Sequence, residues 1–225
     1  MISNNKCIAV IPARGGSKRL KRKNIKLFNG KPLIAWSILE AKKSKLIDSI
    51  IVSTEDQEIA DIAIKYGALV PYLRPDHLSA DSIGATEPVL DVLEKFHDVN
   101  QVVLLQPTSP LRLVNDIDEC IKMSISKNGK PCVSISELVY DPSVIVFKNH
   151  NDIINKHKNS KNIFRINGAV YTSSTKNLKK YKTFITKDTS GYNMPINRSI
   201  DIDTINDFNI AEDLSKKIKL SITDL

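Results

Sequence analysis

Arg14, Lys18 and Lys23 share one short segment with a glycine pair: Ile11-Pro12-Ala13-Arg14-Gly15-Gly16-Ser17-Lys18 leads into Arg19-Leu20-Lys21-Arg22-Lys23. Glycines let backbone N–H groups line a concave anion site, and cations at its rim can neutralise a polyphosphate. The segment follows a short apolar run, Cys7 to Ile11, that reads as a first strand. Phosphate binding at the carboxyl end of a strand is the general habit of open α/β sheets. The spacing is neither the dinucleotide fingerprint GxGxxG nor the Walker loop GxxxxGK[ST]. The plain alternative is a tight turn carrying solvated lysines.

Two further groupings could do chemistry. In Asp201-Ile202-Asp203 a strand period puts both carboxylates on one face and Ile202 toward the core. Two hard oxygen donors suit Mg²⁺, which takes water and substrate phosphates as its other ligands. Alternatively, Asp201 ends a strand and Asp203 helps to start a helix at Thr204. In Leu104-Leu105-Gln106-Pro107-Thr108-Ser109-Pro110-Leu111-Arg112, two prolines stiffen a loop that holds Gln106, Thr108 and Ser109 at a strand end, where they suit a hydroxyl-rich ligand. Taken alone, it is a rigid turn.

Other chemistries find little support. His77, His97, His150 and His157 are isolated from one another and from Cys7, Cys120 and Cys132, so zinc spacing is missing. The three cysteines sit in apolar stretches and read as buried thiols. No GxSxG elbow or Cys/His nucleophile pattern is present.

The elements that must position these groups alternate short β-branched runs with helical periods. This pattern predicts a three-layer α/β fold on a mostly parallel, Rossmann-like sheet. Strands are expected at Cys7 to Ile11, Ser49 to Ser53, Ala68 to Leu73, Gln101 to Leu105 and Cys132 to Ile135, and again at Ala169 to Thr172. Helices are expected at Pro32 to Lys43, from a Thr54/Gln57 capping box to a stop at Gly67, at Thr86 to Phe96 and at Asn115 to Ser126. A short helix at Ser174 to Tyr181 and a last one from Thr204 to Lys217 complete the set. Trp36 is assigned to the core. From Glu137 the pattern degrades, and a polar Asn/Lys stretch at Asn149 to Asn162 predicts an excursion, placed at 137–166 within a single domain of residues 1–225.

With 225 residues, 41% hydrophobic and 26% charged, the chain is an ordinary globular one, long enough for one large core. Lys+Arg 33 against Asp+Glu 25 gives +8. That charge suits nucleic acid, an anionic membrane surface or a small polyanionic substrate. The densest basic run has no interleaved aromatics to stack bases, which favours a phosphate pocket over a nucleic-acid face. No apolar run reaches the roughly 18 residues of a membrane span, and Cys7 to Ile11 is too short for a signal-peptide core. A cytoplasmic protein without membrane or nucleic-acid partners is expected.

Taken together, these blocks resemble the acylneuraminate cytidylyltransferase family, the CMP-sialic acid synthetases and their legionaminic and pseudaminic relatives. The resemblance rests on Ile11 to Lys18 with Lys23-Asn24, Ile51-Val52-Ser53-Thr54, Leu73-Arg74-Pro75, Leu105 to Arg112, Asn167-Gly168-Ala169-Val170-Tyr171 and Ser199 to Asp203. It implies a nucleotidyltransferase-type fold with a small α+β dimerisation excursion, a homodimer, and transfer of CMP from CTP to the anomeric 2-hydroxyl of a nine-carbon 2-keto sugar acid, with Mg²⁺ and release of pyrophosphate. It further implies that Arg14, Gly15, Ser17, Lys18, Lys23, Asn24 and Arg74 bind CTP, and that Asp201 and Asp203 hold the metal. Gln106, Thr108, Ser109, Arg165, Asn167 and Tyr171 would meet the sugar. Arg14, Lys18, Lys23, Asp201 and Asp203 would carry catalysis, the cations stabilising charge on the departing pyrophosphate. The general base is left unassigned. A Pro-Arg-Gln type motif common in the family is absent before Asn167, which leaves Lys158, Lys161 or Arg165 to hold the sugar carboxylate. The Thr108-Ser109-Pro110 loop leans toward the sialic or legionaminic branch over the pseudaminic one. Competing readings are a deoxyoctulosonate cytidylyltransferase, a basic nucleic-acid-binding protein and an inactive nucleotide sensor.

Overall fold

The computed structural model describes residues 6–138, 146–148, 154–156 and 163–218. The sheet grows from β-branched runs whose alternate side chains enter different cores. In β1 (Cys7–Pro12), Ala9 and Ile11 face one helical layer while Ile8 and Val10 face the other. β5 (Gln101–Leu105) divides in the same way, Val103 and Leu105 against Val102 and Leu104. A strand buried on both faces needs apolar residues throughout, which is why these runs read as continuous rather than alternating.

Two short strands, β2 (Leu27–Phe28) and β3 (Lys31–Pro32), form a separate ladder before α1 (Leu33–Lys43). Beyond α1 come β4 (Ser49–Ser53), α2 (Gln57–Lys65) and α3 (Thr86–Lys95), and after β5 come α4 (Val114–Ser126) and β6 (Cys132–Glu137). A second small ladder pairs β7 (Val146–Lys148) with β8 (Ile154–Lys156) antiparallel. The chain closes with β9 (Phe164–Ser174), α5 (Thr175–Tyr181), β10 (Ser190–Asn193) and α6 (Ile205–Ile218). The main sheet has the order β10-β6-β9-β5-β1-β4, and β9 alone runs against its neighbours.

Helices α1, α2 and α4 cover one face through Ile34, Ile38, Ile59, Ala63, Ile117 and Ile121. Helices α3 and α5 cover the other through Val89, Val92, Leu93 and Leu178. Each large aliphatic side chain withdrawn from water contributes about 1.5–3 kcal/mol. A third cluster joins Phe28, Leu33, Trp36, Leu111, Ile202 and Phe208, with Phe28 edge-on to both Trp36 and Phe208 at 5.9 and 5.5 Å. Trp36 is in the core as expected, its indole N–H donating to the Phe28 carbonyl. This cluster matters most for the site, because it ties the segment around Ile202 to the start of α1.

Three expectations are corrected. Ala68 to Leu73 forms no strand: Leu69 exchanges two backbone bonds with Ile50 and Val52, and the chain leaves the sheet at Pro71, which has no N–H to continue the ladder. The start of α2 is capped by Asp56, whose carboxylate accepts from Ile59 N, rather than by Thr54. The segment Asp201-Ile202-Asp203 is not a strand, although Ile202 N donates to Thr108 O and its side chain is fully buried. Of the excursion expected at 137–166, β7, β8 and the flanks of β6 and β9 are seen. The rest, with Lys158 and Lys161, lies outside the described residues.

Candidate active site

The loop after β1 starts where Ala13 N makes a last bond to Ser53 O. Gly15 N donates to Glu55 Oε1 at 2.7 Å, so that N–H is engaged by a side chain. Asn24, itself buried, donates to the Arg14 carbonyl at 2.9 Å and closes the loop across its base. Lys23 then reaches across the cleft: its ammonium donates to Ile202 O at 2.8 Å and to Asp203 Oδ1 at 3.0 Å. Two segments 180 residues apart thus meet through one side chain.

The cleft between them has a volume of about 610 Å³. Arg14, Ser17, Lys18, Arg19, Lys23 and Asn24 line one wall. Arg74, Leu78, Asp81, Ile83 and Pro88 are among those that line a second, Gln106, Thr108 and Asp201 form the floor, and Asp203 stands at the rim. The rim charges are already paired within the protein. Asp81 takes both Arg14 and Lys18 at 2.5 Å, and Asp203 takes Arg19 as well as Lys23, each at 3.0 Å. The hydrogen bond from Lys18, with Arg14 beside it, holds the Asp81 carboxyl below its ordinary range. Arg74 is buried and engaged from behind, donating to Glu55 Oε2 at 2.9 Å and to Ser79 at 3.0 Å.

The floor is held by buried bonds. Arg112, 1% exposed, donates to the carbonyls of Ala169 at 2.7 Å and Gln106 at 3.2 Å and to Ser37 Oγ at 2.5 Å. Burial lowers its guanidinium to about 10, opposed by Glu40 and Asp116. Gly168 has φ +84°, and a Cβ there would stand 2.8 Å from Gln106 Oε1, so only glycine lets β9 pass this close to the floor. Burial, opposed by a Thr108 hydrogen bond and reinforced by Asp203, raises the Asp201 carboxyl above the ordinary range. Among the described residues its Oδ1 has no hydrogen-bond partner.

That orphaned oxygen, with Asp203 in the same cleft, fits a divalent cation that completes its shell from water and phosphate. Among the described residues no group of three or more His, Cys, Asp or Glu could hold a metal by itself. Oxygens from a ligand would have to supply the remaining bonds.

Of the residues singled out from sequence, Arg14, Ser17, Lys18, Lys23, Asn24, Arg74, Gln106, Thr108, Asp201 and Asp203 come together in this cleft. Gly15 does not line it, and its N–H is taken by Glu55. Ser109 is wholly buried, with its hydroxyl unpartnered among the described residues. Arg165 binds Ser136 and the Ser199 carbonyl. Asn167 is a buried brace between Ser134, Ser199 and Ala169 N. Tyr171 packs on Phe184, with ring centroids 5.8 Å apart, on the opposite core face. These last four do not line the cleft. Sequence reasoning missed Glu55, Asp56 and Asp81, which show no motif, and passed over Gly168 and Arg112, which stood inside quoted blocks.

Comparison with known proteins gives the family and the fold. Residues 8–222 match the family described as Cytidylyltransferase. The chain is 37% identical over 221 residues to the CMP-N,N'-diacetyllegionaminic acid synthase of Legionella pneumophila, covering 92% of this chain and 95% of that protein. It is 34% identical over 224 residues to a pseudaminic acid cytidylyltransferase of Campylobacter jejuni, with 94% and 97% covered. It is 32% identical over 238 residues to the N-acylneuraminate cytidylyltransferase of Escherichia coli, covering 98% of this chain and 54% of that longer protein. In fold, it resembles the CTP complex of CMP:2-keto-3-deoxy-manno-octonic acid synthetase, with a TM-score of 0.74 at 16% identity over 95% of this chain and all of the other.

Proposed function

The chain belongs to the cytidylyltransferase family, and on that premise we propose that it transfers CMP from CTP to the anomeric 2-hydroxyl of a nine-carbon 2-keto sugar acid of the legionaminic or sialic type. The observation that carries the reading is the meeting of the cationic glycine loop and the acidic pair in one cleft, joined by Lys23 and Asp203.

In this proposal the triphosphate exchanges places with carboxylates. Its oxygens replace Asp81 at Arg14 and Lys18, and these cations then hold the β- and γ-phosphates. The sugar hydroxyl attacks the α-phosphorus in line and gives up its proton to the Asp201 carboxylate or to water. A new O–P bond forms, the bond to the β-phosphate oxygen breaks, and pyrophosphate leaves with its added negative charge against Arg14, Lys18 and Lys23. Gln106 and Thr108 present hydrogen-bonding groups at the floor, where a hydroxyl-rich acceptor can be oriented. Asp201 and Asp203 would hold Mg²⁺, which supplies charge neutralisation at the phosphates when bound.

The same reading includes a homodimer in the cytoplasm. Phe164 and Ile166, exposed on β9 at the end of the 137–166 region, support a second copy packing there, and sedimentation equilibrium would reveal it.

The test is pyrophosphate release with Mg²⁺, each of the four nucleoside triphosphates, and a panel of legionaminic, sialic, pseudaminic and deoxyoctulosonic acids. Release that needs CTP and a legionaminic or sialic acid is the expected result. Turnover confined to pseudaminic acid would move the protein to that branch, and turnover confined to the eight-carbon acid would overturn the acceptor assignment.

A further inference from the structure

The cationic loop turns sharply at both ends, and both turns stand on one side chain that lies outside the cleft. At its start, Gly15 passes so close to the Asp56 carboxylate that a Cβ there would collide with it. At its end, Arg22 adopts φ +56° and ψ +33°, the left-handed region that L side chains other than glycine rarely occupy. The Arg22 guanidinium donates to both oxygens of Asp56, the longer bond being 3.3 Å, and to Glu58. Asp56 also caps α2 through Ile59 N at 3.0 Å, so its carboxylate is fixed to the helix rather than to the loop. The neighbouring Glu55 accepts from Gly15 N and from Arg74, extending the same support toward the second wall.

We propose that Asp56 and Arg22 are positioning residues that fix the glycine loop for triphosphate binding. Their pairing holds residue 22 left-handed so that Lys23 is delivered into the cleft. The inference rests on the cytidylyltransferase reading only for the identity of the triphosphate.

The left-handed turn gives the idea a distinctive consequence. Charge, folding and geometry are separated by comparing alanine with glycine at one position. Both substitutions remove the guanidinium, but glycine adopts a positive φ freely and alanine does not. If Arg22 acted only as one more positive charge near the cleft, the two variants would bind triphosphate alike. If it were merely structural, melting temperature would fall while CTP binding stayed constant.

The experiment is calorimetric titration of the full-length protein with CTP and Mg²⁺ in the absence of sugar, together with KM for CTP and for the sugar acid. Arg22→Ala is expected to weaken CTP binding about tenfold, and Arg22→Gly to recover most of that loss, to within about threefold of the parent. KM for the sugar should stay within about twofold in both, since the floor that faces it is untouched. Asp56→Asn keeps a capping oxygen while removing the charge that holds Arg22, and should weaken CTP binding about fivefold even if Arg22→Ala fails to fold. Equal losses in the glycine and alanine variants, CTP affinity unmoved by Asp56→Asn, or a sugar KM that rises in step with that for CTP would each overturn the proposal. Titrations without sugar read the clamp whatever the acceptor is, so a failed sugar panel leaves this result interpretable.

Discussion

The rim and the floor of the cleft are built on opposite principles. At the rim, Lys18 and Arg19 are 80% and 69% exposed and meet carboxylates that are themselves half in water. At the floor, Gln106 and Asp201 sit among buried groups fixed by Arg112, Asn167 and a glycine that has no room for a side chain. Exposed ion pairs are worth little and rearrange easily. Buried networks are costly to break and hold one geometry. The lesson is a division of labour: the rim supplies charge that can change partners when a polyanion arrives, and the floor supplies position.

Variants should separate these roles, and the largest effect belongs to the floor. Asp201→Asn removes a charge that burial already disfavours. With chelator present it should melt at a higher temperature than the parent, while turnover with Mg²⁺ and CTP falls by about 10²–10³-fold. The sign follows from the raised carboxyl: above its unfolded-state pKa the ionised form weakens the fold, so a neutral isostere relieves it. A variant that lost stability and activity together would place Asp201 among the structural supports.

Arg112→Met should cost about 2–3 kcal/mol in denaturant unfolding, because Ala169 O, Gln106 O and Ser37 would lose a buried donor. A loss under about 1 kcal/mol, the scale of an exposed pair, would erase the contrast between floor and rim.

At the rim the expected responses are smaller and depend on salt. KM for CTP should rise several-fold between low and physiological ionic strength while kcat holds, since screening acts on Arg14, Lys18 and Arg19 and barely on buried groups. The smallest effect is expected for Asp81→Asn, which removes the competing carboxylate from Arg14 and Lys18 and should lower KM for CTP about twofold to fivefold. An increase instead would mean that Asp81 helps to hold the nucleotide.

The contrast between rim and floor also explains what could be read before any coordinates. Glycines, cations and carboxylates at strand ends are local signals, so the Arg14 to Lys23 loop, the Gln106 loop and the acidic pair were all legible. Ile202 kept its inward direction even without a strand, because a single backbone bond to Thr108 and the Phe28–Phe208 cluster suffice to orient it. Partnerships over long separations left no local trace: Arg22 with Asp56, Arg14 with Asp81, and Arg112 with Ala169. The same limit misplaced Ala68 to Leu73, where β propensity was real but Pro71 ends pairing after Leu69. Asn167 and Tyr171 fell in a motif that points to the sugar. Here strand packing turns one into a brace and the other toward Phe184.

Under the proposed function, one magnesium triphosphate is gripped by both segments at once. A crystal structure with Mg²⁺ and a non-hydrolysable CTP analogue tests it most directly. The expected complex has phosphate oxygens against Arg14 and Lys18, the metal bonded to Asp201 or Asp203, and Asp81 released from its two cations. A nucleotide bound elsewhere, or phosphates held by the loop with both aspartates left untouched, would contradict it.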